Sequence, residues 1–223
     1  MKYDLKYERE KKFLMTTVYK LYTELLEYKP LIWRRFLVSN SMKLSNLAYA
    51  LMLLYEARGG HLFNFYSPER NEYYALPYEE DDDDLDFDRE EIDARKMSLR
   101  NVMNAAGQTI IFNYDFGDGW EMAVRVEEIF ESELRPQKYP ILINGEGYGI
   151  IEDCGGVYGL AEIAEAFKKK KGPEYEEYRD WLGRDNIDLK TFRTQFMNFR
   201  TGMSYFRSNY EDTTPPMMWV KTE

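Results

Sequence analysis

The segment from Thr109 to Glu127 constrains the fold more than any other part of the chain. Its first six residues, TIIFNY, and its last stretch, where Trp120, Met122, Val124 and Val126 alternate with Glu121, Ala123, Arg125 and Glu127, share a two-residue period. Successive side chains of an extended backbone point to opposite faces, so the pattern describes two strands, each burying one face. Between them lies DFGDG, residues 115–119. A tight connection between antiparallel strands needs positive φ angles, and Gly117-Asp118-Gly119 is expected to supply them. The spacing therefore predicts a β-hairpin with two aspartates at its tip.

Further elements follow from the same two periods. LIWRRFLV at 31–38 comes after Pro30 and is rich in β-formers, which predicts a strand. Leu44, Leu47, Ala48, Leu51 and Leu54 share one helical face, with Ser41 as a hydroxyl cap and Gly59-Gly60 as the stop. HLFNFYS and NEYYALPY read as short strands joined through Pro68 to Asn71, and YPILING at 139–145 as another. Met97 to Ala106 is expected to form a short helix with Leu99, Val102 and Met103 inward. A helix from Gly159 carries Leu160, Ile163, Ala164 and Phe167 on one face, ends in Lys168 to Lys171, where cations suit the helix dipole, and stops at Gly172-Pro173. Glu174 to Leu182 forms the next, closed by Gly183, and a last begins near Asp188 with Leu189, Phe192, Phe196 and Phe199 inward.

Three stretches are expected to lie outside the packed domain. Residues 1–16 read as a charged lead-in, residues near 79–93 (EEDDDDLDFDREEID) as a solvated acidic loop, and residues 201–223 as a tail. The acidic loop lacks the glycine and terminal glutamate spacing of a calcium-binding EF-hand. Residues 17–27 fit both periods: Leu14, Val18, Leu21 and Leu25 recur at helical spacing, while Tyr19, Leu21, Thr23 and Leu25 alternate as in a strand.

Charge and cysteine usage narrow the function. With 30 basic and 40 acidic residues the net charge is -10, which repels a phosphate backbone, so non-specific nucleic-acid binding is not expected. Trp33-Arg34-Arg35 is the one short basic candidate. A single cysteine, Cys154, cannot form an internal disulfide, and no apolar run has the length of a signal sequence or membrane span. The expectation is a cytoplasmic protein of one domain without a membrane partner.

Chemistry-bearing residues collect at the turns: His61, Asp115, Asp118, Glu152, Asp153 and Cys154. Together, these carboxylates and the imidazole could hold a divalent metal or serve as general acid and base, with Cys154 as ligand or nucleophile. The structural alternative is that aspartates at turns bond their own backbone and that Glu152 and Asp153 sit near a helix N-terminus. Asp115-Phe116-Gly117 copies the metal-binding triplet of protein kinases, but the companion kinase motifs are absent. GEGYG at 145–149 echoes a dinucleotide loop yet does not open into a helix. No cofactor is predicted.

The succession YKLYTELLEYKPLIWRRFLV, LSNLAYALMLLYEA, HLFNF, YDFGDGWEMAVRVEEI and YPILINGEGYGIIEDCGGVYGLAEIAEAF resembles the plasmid pRiA4b ORF-3-like family, also labelled a resolvase-like (TnpR) passenger protein of an insertion element. The resemblance spans roughly residues 17–200. It implies an α+β domain with a mostly antiparallel sheet, helices packed against it and a C-terminal helical extension. It also implies a strand at 17–27 pairing with the IWRR strand, and signature positions at His61, the aspartate turn and EDCGG. Two positions depart from the family pattern: Phe63 stands where a second histidine is common, and Gly149-Ile150-Ile151 where cysteine-proline-proline is common. A site built on a histidine or cysteine pair is weakened accordingly. Neither the nucleophilic serine with an arginine cluster nor the basic helix-turn-helix of a serine recombinase is present. Three functions are carried forward: a non-enzymatic protein or peptide interaction module, first; a metal-assisted or carboxylate-dependent hydrolase using the DFGDGW and EDCGG loops; and a sequence-specific DNA-binding accessory protein of a plasmid or transposon.

Overall fold

The computed structural model describes residues 15–77, 90–133, 140–192 and 198–212. The strands are β1 (Thr16–Leu25), β2 (Trp33–Ser39), β3 (Phe63–Ser67), β4 (Glu72–Ala75), β5 (Glu91–Asp93), β6 (Thr109–Tyr114), β7 (Trp120–Ser132) and β8 (Ile141–Glu146). The helices are α1 (Leu44–Leu54), α2 (Leu99–Val102), α3 (Gly156–Lys169), α4 (Pro173–Leu182) and α5 (Phe199–Arg207), the last running into a π-helical turn at Ser208–Asp212. All eight strands form one sheet in the order β5-β4-β3-β6-β7-β1-β2-β8, antiparallel throughout except for β4 with β5. The class is α+β. Among the described residues no helix is long and apolar enough to cross a membrane.

The ambiguous stretch is a strand because both of its edges are used. β1 pairs with β2 on one side and β7 on the other, so Leu21 faces Phe36 and Val126, and Thr23 faces Arg34 and Val124. Opposite Lys20 and Leu21 the register shifts by one extra residue of β7, Glu127, while β1 alternates without a break and keeps Leu21, Thr23 and Leu25 on the buried face. The β6–β7 hairpin forms with the predicted alternation, and Ile110, Phe112, Tyr114, Trp120, Met122, Val124 and Val126 are all buried. α1 is buried nearly all round, including Tyr49, Ala50 and Met52, and is a core helix.

Several boundaries differ from the sequence expectation, each for a local reason. Ser41 does not cap α1: its hydroxyl pairs with Ser39, and Lys43 in extended conformation is the N-cap. The helix ends at Tyr55, well before Gly59. α3 starts at Gly156 instead of Gly159, because Gly155 turns the chain with φ 88°. At the other end Lys170, in left-handed conformation, is the C-cap, and Ala166 is buried where Ala164 is half-buried. Among the described residues no helix begins near Asp188. The carbonyls of Leu189 and Lys190 instead accept from the Tyr148 and Gly147 amides, extending the end of β8, and α5 starts at Phe199 with Asn198 capping the Thr201 amide at 3.1 Å. Phe196 lies outside the described residues, and Phe199 is half-buried.

The C-terminal stretch read as a tail is packed as far as it is described. Met203 and Phe206 are buried, and a Cβ at Gly202 would lie 2.4 Å from Leu53. Most of the acidic loop, residues 78–89, and residues 1–14 and 213–223 lie outside the described residues. The end of that loop is not irregular: Glu91–Asp93 form β5, parallel to β4.

The basic patch dissolves in three dimensions. Alternation along β2 sends Arg34 inward, where it is wholly buried, and leaves Trp33 and Arg35 on the other face. Arg35 is paired bidentately with Glu127 at 2.6 and 2.7 Å. The Arg34 guanidinium donates to the carbonyls of Leu54, Trp33, Glu146 and Tyr148 at 2.6–2.8 Å and lies against the rings of Phe192 and Tyr55. Burial lowers its pKa to about 10, so it remains charged at neutral pH.

Candidate functional site

Three connections meet at one end of the sheet: the loop from α1 to β3, the β6–β7 turn, and the loop ahead of α3. The Gly155 amide donates to Asp118 Oδ1 at 3.2 Å, and a Cβ on Gly156 would lie 2.2 Å from the Asp118 carbonyl oxygen. The DFGDGW and EDCGG loops therefore touch, and a glycine is required at the point of contact.

Asp115 shapes the turn. It takes φ 55°, a conformation that aspartate tolerates because its short side chain can bond the nearby backbone. Its Oδ1 accepts from the Gly117 and Asp118 amides at 3.2 and 3.3 Å, and its carbonyl accepts from the Gly119 amide at 2.6 Å. The positive φ angles thus belong to Asp115 and Gly119, and Gly117 has none. The Asp115 amide donates to the Leu62 carbonyl, which ties the turn to the loop carrying His61.

His61 stands between two carboxylates. Its Nδ1 is 3.5 Å from Asp115 Oδ1 and its Nε2 is 3.7 Å from Asp153 Oδ1. Taking one ligand atom per residue, His61, Asp115 and Asp153 lie within 4.8 Å of one another. The three differ in access: Asp115 is buried, the His61 side chain is 32% exposed, and that of Asp153 is 66% exposed. Asp153 is also held in left-handed conformation, at φ 63°.

Glu152 is a bracket for this site and not a member of it. It is buried, and its Oε1 accepts from the Arg58 amide at 2.8 Å, the Gly59 amide at 3.4 Å and the Tyr114 hydroxyl. The Tyr114 oxygen accepts in turn from the Gly59 and Gly60 amides, and its ring meets His61 edge-on at 5.9 Å. Burial, then the neighbouring Tyr210 and Glu152, hold the Tyr114 hydroxyl far above its ordinary range, so it stays a donor. A buried carboxylate with three donors is satisfied without any ligand.

Asp118 and Cys154 complete the contact between loops. Asp118 Oδ2 is buried without a hydrogen-bond partner. The Cys154 thiol, directed at the Gly156 carbonyl, is pushed up to about 12 by burial and then by Asp118. A thiol so raised is neutral at physiological pH and a weak nucleophile. Of the six residues singled out from the sequence, the fold gathers His61, Asp115 and Asp153 into one cluster and assigns Glu152, Asp118 and Cys154 to building the loops.

Two functional neighbours escaped the sequence reading. Tyr114 is the last inward position of β6, and an inward tyrosine needs a partner for its hydroxyl; that signal was available. Tyr210 donates to the His61 carbonyl at 2.6 Å from a segment read as tail, and nothing local marks it.

A family model described as plasmid pRiA4b ORF-3-like protein matches residues 17–198. The uncharacterized protein y4hQ of Sinorhizobium fredii (strain NBRC 101917 / NGR234) is 30% identical over 176 residues, covering 78% of this chain and 86% of that protein. The crystal structure of the protein of unknown function MM3350 from Methanosarcina mazei Go1 superposes with a TM-score of 0.67 at 26% identity, covering 80% of this chain and 94% of that one. On a match spanning most of its length, this chain belongs to the plasmid pRiA4b ORF-3-like family.

Proposed function

We propose that the protein binds a divalent cation through His61, Asp115 and Asp153 and uses it in metal-assisted hydrolysis. The observation that carries this reading is the approach of one imidazole and two carboxylates, from three separate loops, to within 4.8 Å. Ligand atoms around a tetrahedral nitrogen and oxygen centre lie about 3.4 Å apart, from bond lengths near 2.1 Å. His61 offers one ring nitrogen to a single ion, and with one atom from each residue the set lies within 4.8 Å, so the ligands must draw in to reach that spacing; the exposed Asp153 side chain is the one able to adjust. Three protein ligands with one open side leave room for a water molecule, whose acidity a bound cation raises.

Calorimetric titration with Zn2+ and Mn2+ tests the reading. Binding in the micromolar range is expected, with loss in His61→Ala and Asp153→Asn and retention in Cys154→Ser. Turnover of a chromogenic ester or phosphodiester should require the added ion and vanish in the same two variants. Failure of the wild-type chain to take up either ion sinks the proposal.

A second reading, a protein or peptide interaction module, draws on the outer sheet face. There Tyr22 and Trp33 stack at 5.8 Å, with the Arg35 guanidinium over both rings and that of Arg125 over Tyr22. Pull-down with wild-type and Trp33→Ala protein tests it; recovery of the same set by both removes that face as the docking surface.

A further inference from the structure

We infer that Tyr210 positions His61, so that docking of the C-terminal helical arm, residues 199–212, and occupancy of the cation site are coupled. This rests on the cation-binding reading above. The loop carrying His61 is held from two sides. From the sheet, Tyr114 and Glu152 fix the amides of Arg58, Gly59 and Gly60. From the arm, the Phe206 ring covers Gly59 so closely that a Cβ there would sit 2.3 Å from it, and the Tyr210 hydroxyl donates to the carbonyl of His61 itself.

The arm is in turn moored to α1 and β3. Tyr210 stacks on Tyr49 at 5.9 Å and meets Phe63 edge-on at 5.5 Å, and the next residue, Glu211, accepts from the Tyr49 hydroxyl at 2.9 Å. Arg207 donates to the Asn46 side chain. A π-helical turn widens the backbone ring by one residue, and such turns recur at functional sites. Here the turn places Tyr210 over the site while Arg207 and Glu211 hold α1.

The consequence for the site is directional. The imidazole hangs from the residue whose carbonyl Tyr210 holds, so the bond restricts the peptide plane from which the ring is aimed at Asp115 and Asp153. A partner one step behind a metal ligand commonly changes affinity by tenfold or more without touching the metal. Coupling of this kind is reciprocal: if a docked arm favours the cation, the cation must favour the docked arm by the same factor.

The test uses the full chain with Zn2+ alone as probe. Tyr210→Phe keeps the ring stacks and removes the hydroxyl; Tyr205→Phe, on an exposed ring of the same arm, is the control. Zn2+ is expected to bind Tyr210→Phe about tenfold more weakly than wild type at an unchanged denaturation midpoint, and Tyr205→Phe equally well. Hydrogen exchange across residues 199–212 should slow when Zn2+ is added to wild type but not to His61→Ala. Should Tyr210→Phe also lose stability, the Zn2+-dependent protection of the arm in wild type decides the matter. Equal affinity in Tyr210→Phe, or arm exchange indifferent to Zn2+, overturns the coupling while leaving the cation site intact. A wild-type chain that takes up no Zn2+ removes both.

Discussion

The Nε of Arg34 donates to the Leu54 carbonyl at 2.7 Å, which places a buried cation at the C-terminal end of α1. Helix dipoles favour positive charge there, and three further carbonyls from β2 and the end of β8 complete the cage. Removing the guanidinium takes a charged donor from each of these four carbonyls. Arg34→Met should cost about 3 kcal/mol or more in urea denaturation, and Arg34→Lys nearly as much, because an ammonium cannot span four acceptors. A loss under about 1 kcal/mol in either would show that the cage is not a stability element.

Glu152 holds the loop that leads to His61 through the Arg58 and Gly59 amides. Its Oε1 only accepts, and the amide oxygen of glutamine also accepts, so Glu152→Gln should lie within about 1 kcal/mol of wild type, whereas Glu152→Ala should cost about 2–3 kcal/mol. Thermal and urea denaturation of both variants checks this. A glutamine variant as unstable as the alanine one would mean that the charge itself holds the loop.

The paired glycines at the start of α3 are not equivalent. A Cβ at Gly155 meets nothing within 4 Å and suffers only from φ 88°, while one at Gly156 runs into the Asp118 backbone. Gly155→Ala should cost about 1 kcal/mol and Gly156→Ala clearly more, with the exchange of the 115–119 amides accelerated only in the second. Equal effects on that turn would contradict the close approach of the two loops.

Acid sensitivity should trace partly to the outer sheet face. Hydrogen bonds from Arg35 hold the Glu127 carboxylate below its ordinary value of 4.5. A depressed folded-state pKa adds stability that is complete above the unfolded value and lost as pH falls through the folded one. Glu127→Gln should therefore be less stable than wild type at pH 7, by about 1 kcal/mol, and lose less stability on acidification below 4.5. Parallel stability–pH curves for the two proteins would refute the assignment.

Strand positions were readable where one face alone is buried, because period two then survives in the sequence; the β6–β7 hairpin and β2 are of this kind. The period of residues 17–27 alone did not decide, since a spacing of four puts Leu21 and Leu25 on one face of a strand and of a helix alike. Caps were misread wherever a side chain had a better partner than the helix, as Ser41 has in Ser39. The lost helix at Asp188 has the same origin: the backbone there found a strand end to bond, which no local propensity encodes.

The amino-acid sequence by itself determined the hairpin and the six polar residues worth watching, and its motif order carried the family resemblance that implied the α+β class, since periodicity, turn chemistry and motif order are local properties of a chain. Only the tertiary structure decided which of the six meet. The separation of His61 from Asp115 and Asp153 depends on three loops at 61, 115 and 153 closing at one sheet end, with the C-terminal arm packed against the first of them. Contacts between segments so distant along the chain are set by packing, and packing leaves no periodic trace in the residues that it joins.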